Sequence, residues 1–307
     1  MNVALWRERF IAHLQFRDYA KATAYSYGLE VSRFLDFLRG RGLNEPAEIR
    51  REDVVSYCLQ VQHARKVDGE PLMASSRRGK VGAVLAFLRY LYEEKLILAN
   101  PGADIRRPKA LDLLPPELPD EEQVLKLLET PDTSTPHGLR DRAILEVLYG
   151  SAIRNAELRS LNLADLDLHR LALRINLGKG RKGRLVPLSE PAAIWTEAYL
   201  QKARAVLVRD TADNGALFVN TWGRRLSNEM LGKIVRDLGK TARLPMRVTP
   251  HILRHACATH MLARKAGIRH LQHLLGHACP SSTQRYTRVE ITDLREVFLR
   301  CHPRESC

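Results

Sequence analysis

Apolar residues recur every three or four positions through the first hundred residues, and this spacing predicts a small helical domain. The segment KATAYSYGLEVSRFLDFLRGRG shows the pattern well, and Gly40 is placed to end its helix. The apolar face of that helix comprises Tyr27, Val31, Phe34, Leu35 and Leu38. A second helix is predicted to start near Glu52, and a third to span SSRRGKVGAVLAFLRYLYEEK.

Three cations, Arg77, Arg78 and Lys80, lie at the beginning of the third predicted helix. They could contact phosphate groups, or they could form a solvated helix end. The sequence alone favours neither interpretation.

Residues 100–118 interrupt the helical pattern with prolines and basic side chains, and Pro119 follows directly. Because proline supports neither a continuous helix nor a central strand, we predict an extended linker here. The linker could close as a strap around a bound partner, or it could be a passive tether. We therefore predict a helical domain (1–99), a linker (100–118) and a second domain (119–307).

The second domain combines helical patterns with a short sheet. Asp120 and Gln123 form a capping-box pair at the start of a helix, and LRDRAILEVLYGSAIRNAELRSL predicts another, continuous helix. LALRINL and RLVPL flank the turn GKGRKG and predict a β-hairpin. LFVN, followed by Trp222 and Gly223, predicts a further strand and turn, and the remainder is helical. The predicted fold class is therefore mainly α with a small β-sheet.

The 307 residues carry 49 Lys and Arg against 35 Asp and Glu, a net charge of +14. This excess favours a polyanion such as nucleic acid, because each phosphate neutralised releases counterions. A basic protein without such a partner is the alternative, so charge supports a nucleic-acid partner without specifying it.

No apolar stretch reaches the roughly eighteen residues of a transmembrane helix, and MNVALWRERF lacks the apolar core of a secretory signal. The five cysteines are scattered and form no Cys-x-x-Cys pair. We therefore expect a cytoplasmic protein with free thiols and no membrane partner.

An ordered set of side chains suited to phosphoryl transfer lies in the second domain. His251 and Arg254 stand three apart in TPHILRHACATHML, and Tyr286 follows in LLGHACPSSTQRYTRV. A guanidinium can hold a phosphate through two hydrogen bonds, and an imidazole can move a proton near neutral pH. A phenol hydroxyl can attack phosphorus and remain attached as an ester. On a helix begun by Thr249–Pro250, His251 and Arg254 would share one face.

Two cations further upstream would complete such a site. Arg154 follows the small pair Ser151–Ala152, although an exposed arginine paired with Glu157 is the simpler interpretation of that residue alone. Lys179 lies in the hairpin tip, where Arg181, Lys182 and Arg184 are competing cations. Lys179 could protonate a leaving oxygen if its pKa is lowered, but chemistry does not distinguish it from Lys182.

His277 follows Gly276, which marks a helix end and exposes the imidazole at the next turn. Tyr286 comes nine residues later, after a natural helix restart at Pro280. Each of these signals is weak alone, and their joint occurrence in this order on a basic chain is what carries weight.

A metal site is the rival interpretation, because His251 and His255 are four apart and further histidines follow. However, HILRH lacks the glutamate of the metalloprotease helix, and no cysteine pair joins the histidines. Arg254 between the two imidazoles would also repel a cation. We therefore predict neither a metal nor another cofactor.

Four stretches resemble the tyrosine recombinases of the phage integrase family, and bacterial Xer-type enzymes in particular: SAIRNAELRSLNLADLDL, GKGRKGRLVPL, TPHILRHACATHML and LLGHACPSSTQRYTRV. The resemblance implies a helical N-terminal core-binding domain followed by an α+β catalytic domain. It places the family's lysine first in the hairpin turn, which favours Lys179 over Lys182. The implied catalytic residues are Arg154, Lys179, His251, Arg254, His277 and Tyr286.

The resemblance further implies site-specific recombination of double-stranded DNA through a 3′-phosphotyrosyl link, without ATP or a metal. It implies either a homo-oligomer, which is a tetramer on paired sites, or assembly with a related recombinase as partner. Ile291, Leu294, Val297 and Phe298 form a C-terminal apolar stripe that could dock in trans or fold back in cis.

Two departures from the family pattern could affect local packing or DNA specificity. Ala152–Ile153 replace the usual Gly-Leu, and Ala278–Cys279–Pro280 replace a serine and another polar or small residue.

A non-catalytic DNA-binding protein and a topoisomerase of related chemistry are the alternatives. The complete residue set argues against the first, and a requirement for paired sites would exclude the second. The sequence specifies neither the DNA target nor whether the protein serves chromosome-dimer resolution, phage integration, or transposon or cassette mobility.

Overall fold

The computed structural model describes residues 2–66, 68–108, 117–176, 183–208, 213, 215–276 and 288–305, with side chains from 294 onward in the last range. The chain divides into two compact units, Met1–Pro115 and Pro116–Cys307, and each has its own apolar core.

The first unit is helical, as predicted. Its described helices are α1 (Val3–Phe16), α2 (Lys21–Gly40), α3 (Arg51–His63) and α4 (Ala74–Glu93). The predicted apolar face of α2 is confirmed, because Val31, Phe34 and Leu35 are fully buried. The first helix, α1, was not predicted, although Phe10 and Leu14 are four apart and both buried in the core.

A buried carboxylate ties three helices of this unit together. Glu30 on α2 accepts hydrogen bonds from the Tyr57 hydroxyl (2.8 Å), the Lys80 ammonium (2.6 Å) and the Arg33 guanidinium (2.9 Å). Burial raises the pKa of Glu30, but the hydrogen bonds from Lys80 and Tyr57 outweigh it, and the pKa is lowered. Lys80, one of the three cations at the start of α4, therefore has a structural contact.

The described first part of the proline-rich segment, 100–108, packs against α4 and contains neither helix nor strand. A side chain at Gly102 would lie 2.8 Å from Leu85, and the Arg107 guanidinium lies against Gly82. This half of the predicted linker is therefore held on the first unit.

The second unit surrounds its core with helices and one three-stranded sheet. Its described helices are α5 (Glu121–Glu129), α6 (Pro136–Ser151), α7 (Asn155–Ser160), α8 (Glu190–Tyr199), α9 (Ala205–Val208), α10 (Asn228–Thr241), α11 (Pro250–Ala263), α12 (Ile268–Leu275) and α13 (Arg288–Cys301). Its strands are β1 (Leu166–Asp167), β2 (Ala172–Ile175) and β3 (Arg184–Pro187).

The sheet is antiparallel in the order β1-β2-β3, and Ile175 is opposite Arg184 at the hairpin mouth. The predicted hairpin is confirmed, whereas LFVN contributes no strand to the sheet. Val219 makes an isolated bridge with Arg225 across the turn at Trp222.

The prediction of one continuous helix through LRDRAILEVLYGSAIRNAELRSL was wrong. The helix α6 ends at Ser151, and α7 starts at Asn155. Between them, Ala152 adopts a left-handed conformation with φ of +50°, which no helix can continue through. The break matters because it lies directly before Arg154.

The described C-terminal segment packs on the second unit. Phe298, Cys301 and His302 are buried in its core, and the His302 ring stacks on Phe298 with centroids 4.6 Å apart. Arg304 donates to the buried Glu146 carboxylate at 2.8 Å. Within the described ranges, no helix has the length and apolar character needed to cross a bilayer.

Candidate active site

Arg154 owes its position to the break between α6 and α7. It precedes the first residue of α7, and its backbone N–H donates to Glu157 Oε2 at 2.8 Å. Its guanidinium donates from Nη1 to Glu157 Oε1 (2.9 Å) and from Nη2 to the Gly276 carbonyl (3.1 Å). The Arg154 side chain is nevertheless 42% exposed, so it can still reach a ligand.

Arg254 and His251 lie one turn apart at the beginning of α11. The Thr249 hydroxyl caps this helix by accepting from the Ile252 N–H at 3.2 Å, as the Thr-Pro start predicted. Arg254 is 5% exposed and donates to the carbonyls of Ala152 and Leu275.

A cavity of about 440 Å³ brings these residues together. Its lining consists of Arg154, Asn155, Ala156, Asn228, Pro250, His251, Arg254, His255, Ala258 and Leu275. Three of the six predicted catalytic residues therefore border one cavity, although more than ninety positions separate Arg154 from the other two.

Glu157 and Arg184 form a buried ion pair beside the residues that line the cavity. Arg184 is 7% exposed and donates from Nη1 and Nη2 to the two oxygens of Glu157, at 2.9 and 3.0 Å. Arg254 Nη1 lies 4.0 Å from the same carboxylate. Three guanidiniums thus surround one carboxylate, which leaves a net charge of +2 beside the cavity.

Burial and the neighbouring charged groups both shift pKa values beside the cavity. Burial, then the nearby Arg154 guanidinium, lowers the pKa of Arg254 to about 10, so it remains a cation at neutral pH. Burial raises the pKa of Glu157, but the hydrogen bonds from Arg184 and Arg154 outweigh it and keep the carboxylate ionised. The excess positive charge makes the cavity a favourable place for a phosphate.

His251 presents a neutral imidazole to the cavity. Burial, and then the proximity of His255 and Arg254, lowers its pKa below the usual value of 6.5. Its Nε2 lies 3.1 Å from His255 Nε2, and the two rings meet edge to face. A neutral imidazole can accept a proton, as a general base must. Within the described ranges, no third donor joins these histidines in a group that could hold a metal ion.

The remaining predicted residues fall outside the described ranges. Lys179 and its rival Lys182 lie in the hairpin tip, and His277 and Tyr286 lie between α12 and α13. The described residues on either side are Asn176 and Gly183 for the tip, and Gly276 and Arg288 for the second segment.

Sequence reasoning missed the part that Arg184 plays, because it grouped this residue with the cations of the hairpin tip. Strand alternation contained the signal: Arg184 and Val186 are both buried, and Leu185 between them is exposed. Glu157 was considered only as the partner of an exposed Arg154.

Comparison with known proteins identifies the family. The phage integrase family matches residues 118–292, and the phage integrase N-terminal SAM-like domain matches residues 6–97. The chain belongs to the phage integrase family.

Named relatives are similar over almost the whole chain. Tyrosine recombinase XerC 2 of Ralstonia nicotianae is 36% identical over 298 residues, 97% of this chain and 85% of the relative. Tyrosine recombinase XerD of Listeria monocytogenes serotype 4b is 36% identical over 289 residues, 94% of this chain and 95% of the relative. The chain is therefore a tyrosine-type, Xer-like recombinase, an enzyme of site-specific DNA recombination.

A solved structure supports the fold. The lambda integrase tetramer bound to a Holliday junction matches with a TM-score of 0.64 at 18% identity, over 94% of this chain and 80% of the integrase. The mainly helical architecture with a small sheet is thus that of a phage integrase.

Ala152 is one of the two departures from the family pattern, and its backbone conformation is unusual. Ala152, where similar enzymes usually have glycine, adopts the left-handed conformation that glycine accommodates without strain. Its carbonyl accepts the hydrogen bond from Arg254. The unusual backbone therefore serves to hold a cavity residue.

Proposed function

We propose that this recombinase cuts and rejoins DNA through a covalent 3′-phosphotyrosyl intermediate, with Tyr286 as the nucleophile. The observation that carries the proposal is the convergence of Arg154, Arg254 and His251 on one cavity with excess positive charge. Such an arrangement suits a phosphodiester whose charge increases in the transition state.

In the first step, the Tyr286 oxygen attacks the scissile phosphorus and the bond from phosphorus to the 5′ oxygen breaks. Arg154 and Arg254 hold the non-bridging oxygens, and His277 donates a hydrogen bond to the phosphate. His251 takes the tyrosine proton, and Lys179 gives a proton to the departing 5′ oxygen. The products are a phosphotyrosyl ester and a free 5′-hydroxyl.

In the second step, a 5′-hydroxyl from the partner duplex attacks the phosphotyrosyl ester and releases Tyr286. Each ester bond broken is replaced by an ester bond formed, so the reaction requires neither ATP nor a metal. The lambda integrase structure is a tetramer on a Holliday junction. We propose a similar assembly on paired double-stranded DNA sites for this chain, of identical subunits or with a related recombinase, in the cytoplasm and on the nucleoid.

We also assign roles to the chain's parts. The helical domain, 1–99, is proposed to bind the DNA core site. The segment 100–118 is proposed to connect it to the catalytic domain, 119–307. The match of residues 6–97 to the SAM-like domain of phage integrases supports the first assignment.

The test is formation of an SDS-resistant protein–DNA adduct on nicked duplexes from the gene's own neighbourhood, with EDTA present. We expect an adduct with the wild type and none with Tyr286→Phe. Tyr92→Phe is the matched control, because Tyr92 is half exposed on α4, in the other unit.

Binding without an adduct would instead indicate a non-catalytic DNA-binding protein. Relaxation of supercoiled plasmids without paired sites would indicate a topoisomerase.

A further inference from the structure

Arg184 is a buried cation that the proposed reaction does not use. It is the first residue of β3 and faces the interior with Val186. Burying a guanidinium is unfavourable unless it is paired and hydrogen-bonded. The partners of Arg184 are therefore the key to its role.

Both supports of the Arg154 guanidinium are in contact with Arg184. The first support is Glu157, whose two oxygens receive Arg184 in bidentate geometry and also receive Arg154. The second is Gly276, whose carbonyl accepts from Arg154. A Cβ on Gly276 would lie only 2.7 Å from Arg184 Cζ, so the guanidinium packs directly against this glycine.

Arg184 also offsets the charge of Glu157. With Arg184 present, the three guanidiniums and one carboxylate leave +2, the full charge of Arg154 and Arg254. Without it, Glu157 would cancel the charge of one of those two residues. Because unlike charges a few ångströms apart interact strongly in a partly buried site, this loss would weaken attraction for a phosphate.

We propose that Arg184 is a positioning residue for phosphate activation: it holds Glu157 and Gly276, and through them it orients Arg154 while offsetting the carboxylate's charge. This inference rests on the proposed phosphotyrosyl chemistry. Arg184 is not among the residues that line the cavity, so we assign it no direct contact with the phosphate.

The test compares single-turnover cleavage of a normal site with cleavage of the same site carrying a neutral methylphosphonate at the scissile position. Removing the non-bridging charge reduces the benefit of well-placed arginines. The quantity measured is the rate constant on the normal site divided by the rate constant on the methylphosphonate site, for one variant at a time. This ratio does not depend on the fraction of folded protein.

We expect Arg184→Gln to lower this ratio by about tenfold or more, because it disturbs both the position and the charge around Arg154. Arg184→Lys keeps the charge but not the bidentate contact, so its ratio should fall between those of the wild type and Arg184→Gln. Arg170→Gln is the control, since Arg170 is 82% exposed in the β1–β2 turn. Its ratio should stay within about twofold of the wild type.

A double variant tests whether Arg184 acts through Glu157. Residues that work as one unit are not additive, so Arg184→Gln with Glu157→Gln should be no slower on normal DNA than the slower single variant. Defects that multiply, or an Arg184→Gln ratio equal to that of the wild type, would overturn the proposal. An absence of cleavage by the wild type on bound DNA would contradict the proposed function instead.

Discussion

Each unit of this recombinase contains a buried glutamate surrounded by cations, and the two clusters differ in what the cations face. Glu30 in the first unit is contacted by Lys80 and Arg33, and Glu157 in the second by Arg154 and Arg184. Arg33 and Arg154 are even alike in detail, because each pairs with its glutamate three residues away and each is about half exposed.

Charge and backbone separate the two clusters. Two cations around Glu30 leave a net charge of +1, whereas three around Glu157 leave +2 beside a cavity. The cavity cluster also uses carbonyls from two left-handed residues, Ala152 and Gly276, to hold its arginines. The comparison suggests that excess charge and an irregular backbone, rather than ion pairing itself, distinguish a ligand site from a structural cluster.

The largest expected difference between the clusters is in catalysis. Arg154→Gln should slow covalent adduct formation by roughly 10²–10³-fold, because it removes a donor from the developing phosphate charge. Arg33→Gln should leave that rate constant unchanged. Both are measured by single-turnover kinetics at saturating DNA, and equal effects of the two substitutions would show that the comparison is mistaken.

The backbone of the cavity cluster should be intolerant of a methyl group. Gly276→Ala places Cβ against Arg184 at a φ of +59°, which should cost about 1–2 kcal/mol of stability. Adduct formation should slow by about tenfold, because the Gly276 carbonyl supports Arg154. Gly40→Ala is the control, since a Cβ there meets nothing within 4 Å. Calorimetry measures the change in stability, and adduct kinetics measure the change in rate. If Gly276→Ala changed neither, the packing argument would be wrong.

The Glu30 cluster should affect stability without affecting chemistry. Glu30→Gln should lower the free energy of unfolding of the first unit by about 2 kcal/mol at pH 7, because it removes a buried, multiply bonded charge. The adduct rate constant at saturating DNA should not change. Urea unfolding can be followed through Trp6, the one tryptophan of this unit, in a Trp195→Phe, Trp222→Phe background.

The stability difference between the wild type and Glu30→Gln should depend on pH. The folded pKa of Glu30 is lowered from its usual 4.5, so its stabilisation is present above that value. It is lost as the pH falls below 4.5 and through the folded pKa. The stability difference between the wild type and Glu30→Gln should therefore shrink across that acidic range. A difference that is constant with pH would mean that the carboxylate charge is not what stabilises the cluster.

The smallest effect is expected at Ala152. Ala152→Gly should raise stability by about 0.5–1 kcal/mol, because glycine adopts a positive φ without strain, and adduct formation should persist. Ala143→Gly, in the regular part of α6, should lower stability by about 1 kcal/mol. Thermal unfolding compares the two, and a loss of stability in Ala152→Gly would show that the left-handed residue is not strained.

Features of the fold that depend on local spacing could be predicted from the sequence. The apolar face of α2, the Asp120–Gln123 capping box and the β2–β3 hairpin follow from local spacing, and all three are observed. The break between α6 and α7 could not be predicted in this way, because an alanine at the left-handed position gives none of the signal that glycine would.

The sequence predicted which residues would border the cavity, but it did not predict the contacts that hold them together. Arg154, His251 and Arg254 followed from motif order, whereas the bond from Arg184 to Glu157 spans 27 residues and depends on how β3 packs against α7. Such a tertiary contact leaves only the weak signal of strand alternation. The C-terminal stripe likewise predicted an apolar face without its packing partners, and Phe298 packs into the core of the second unit.

The most direct test of the whole account is to identify the residue that becomes linked to DNA. The wild type would be trapped on a nicked site in EDTA, digested, and the nucleotide-bearing peptide sequenced by mass spectrometry. The account predicts a single modified residue, Tyr286, joined to a 3′-phosphate. At the same reaction time, the yield of that peptide should fall strongly in Arg154→Gln but not in Arg33→Gln. Attachment through another residue or to a 5′-phosphate, or no attachment on DNA that the protein binds and recombines, would contradict it.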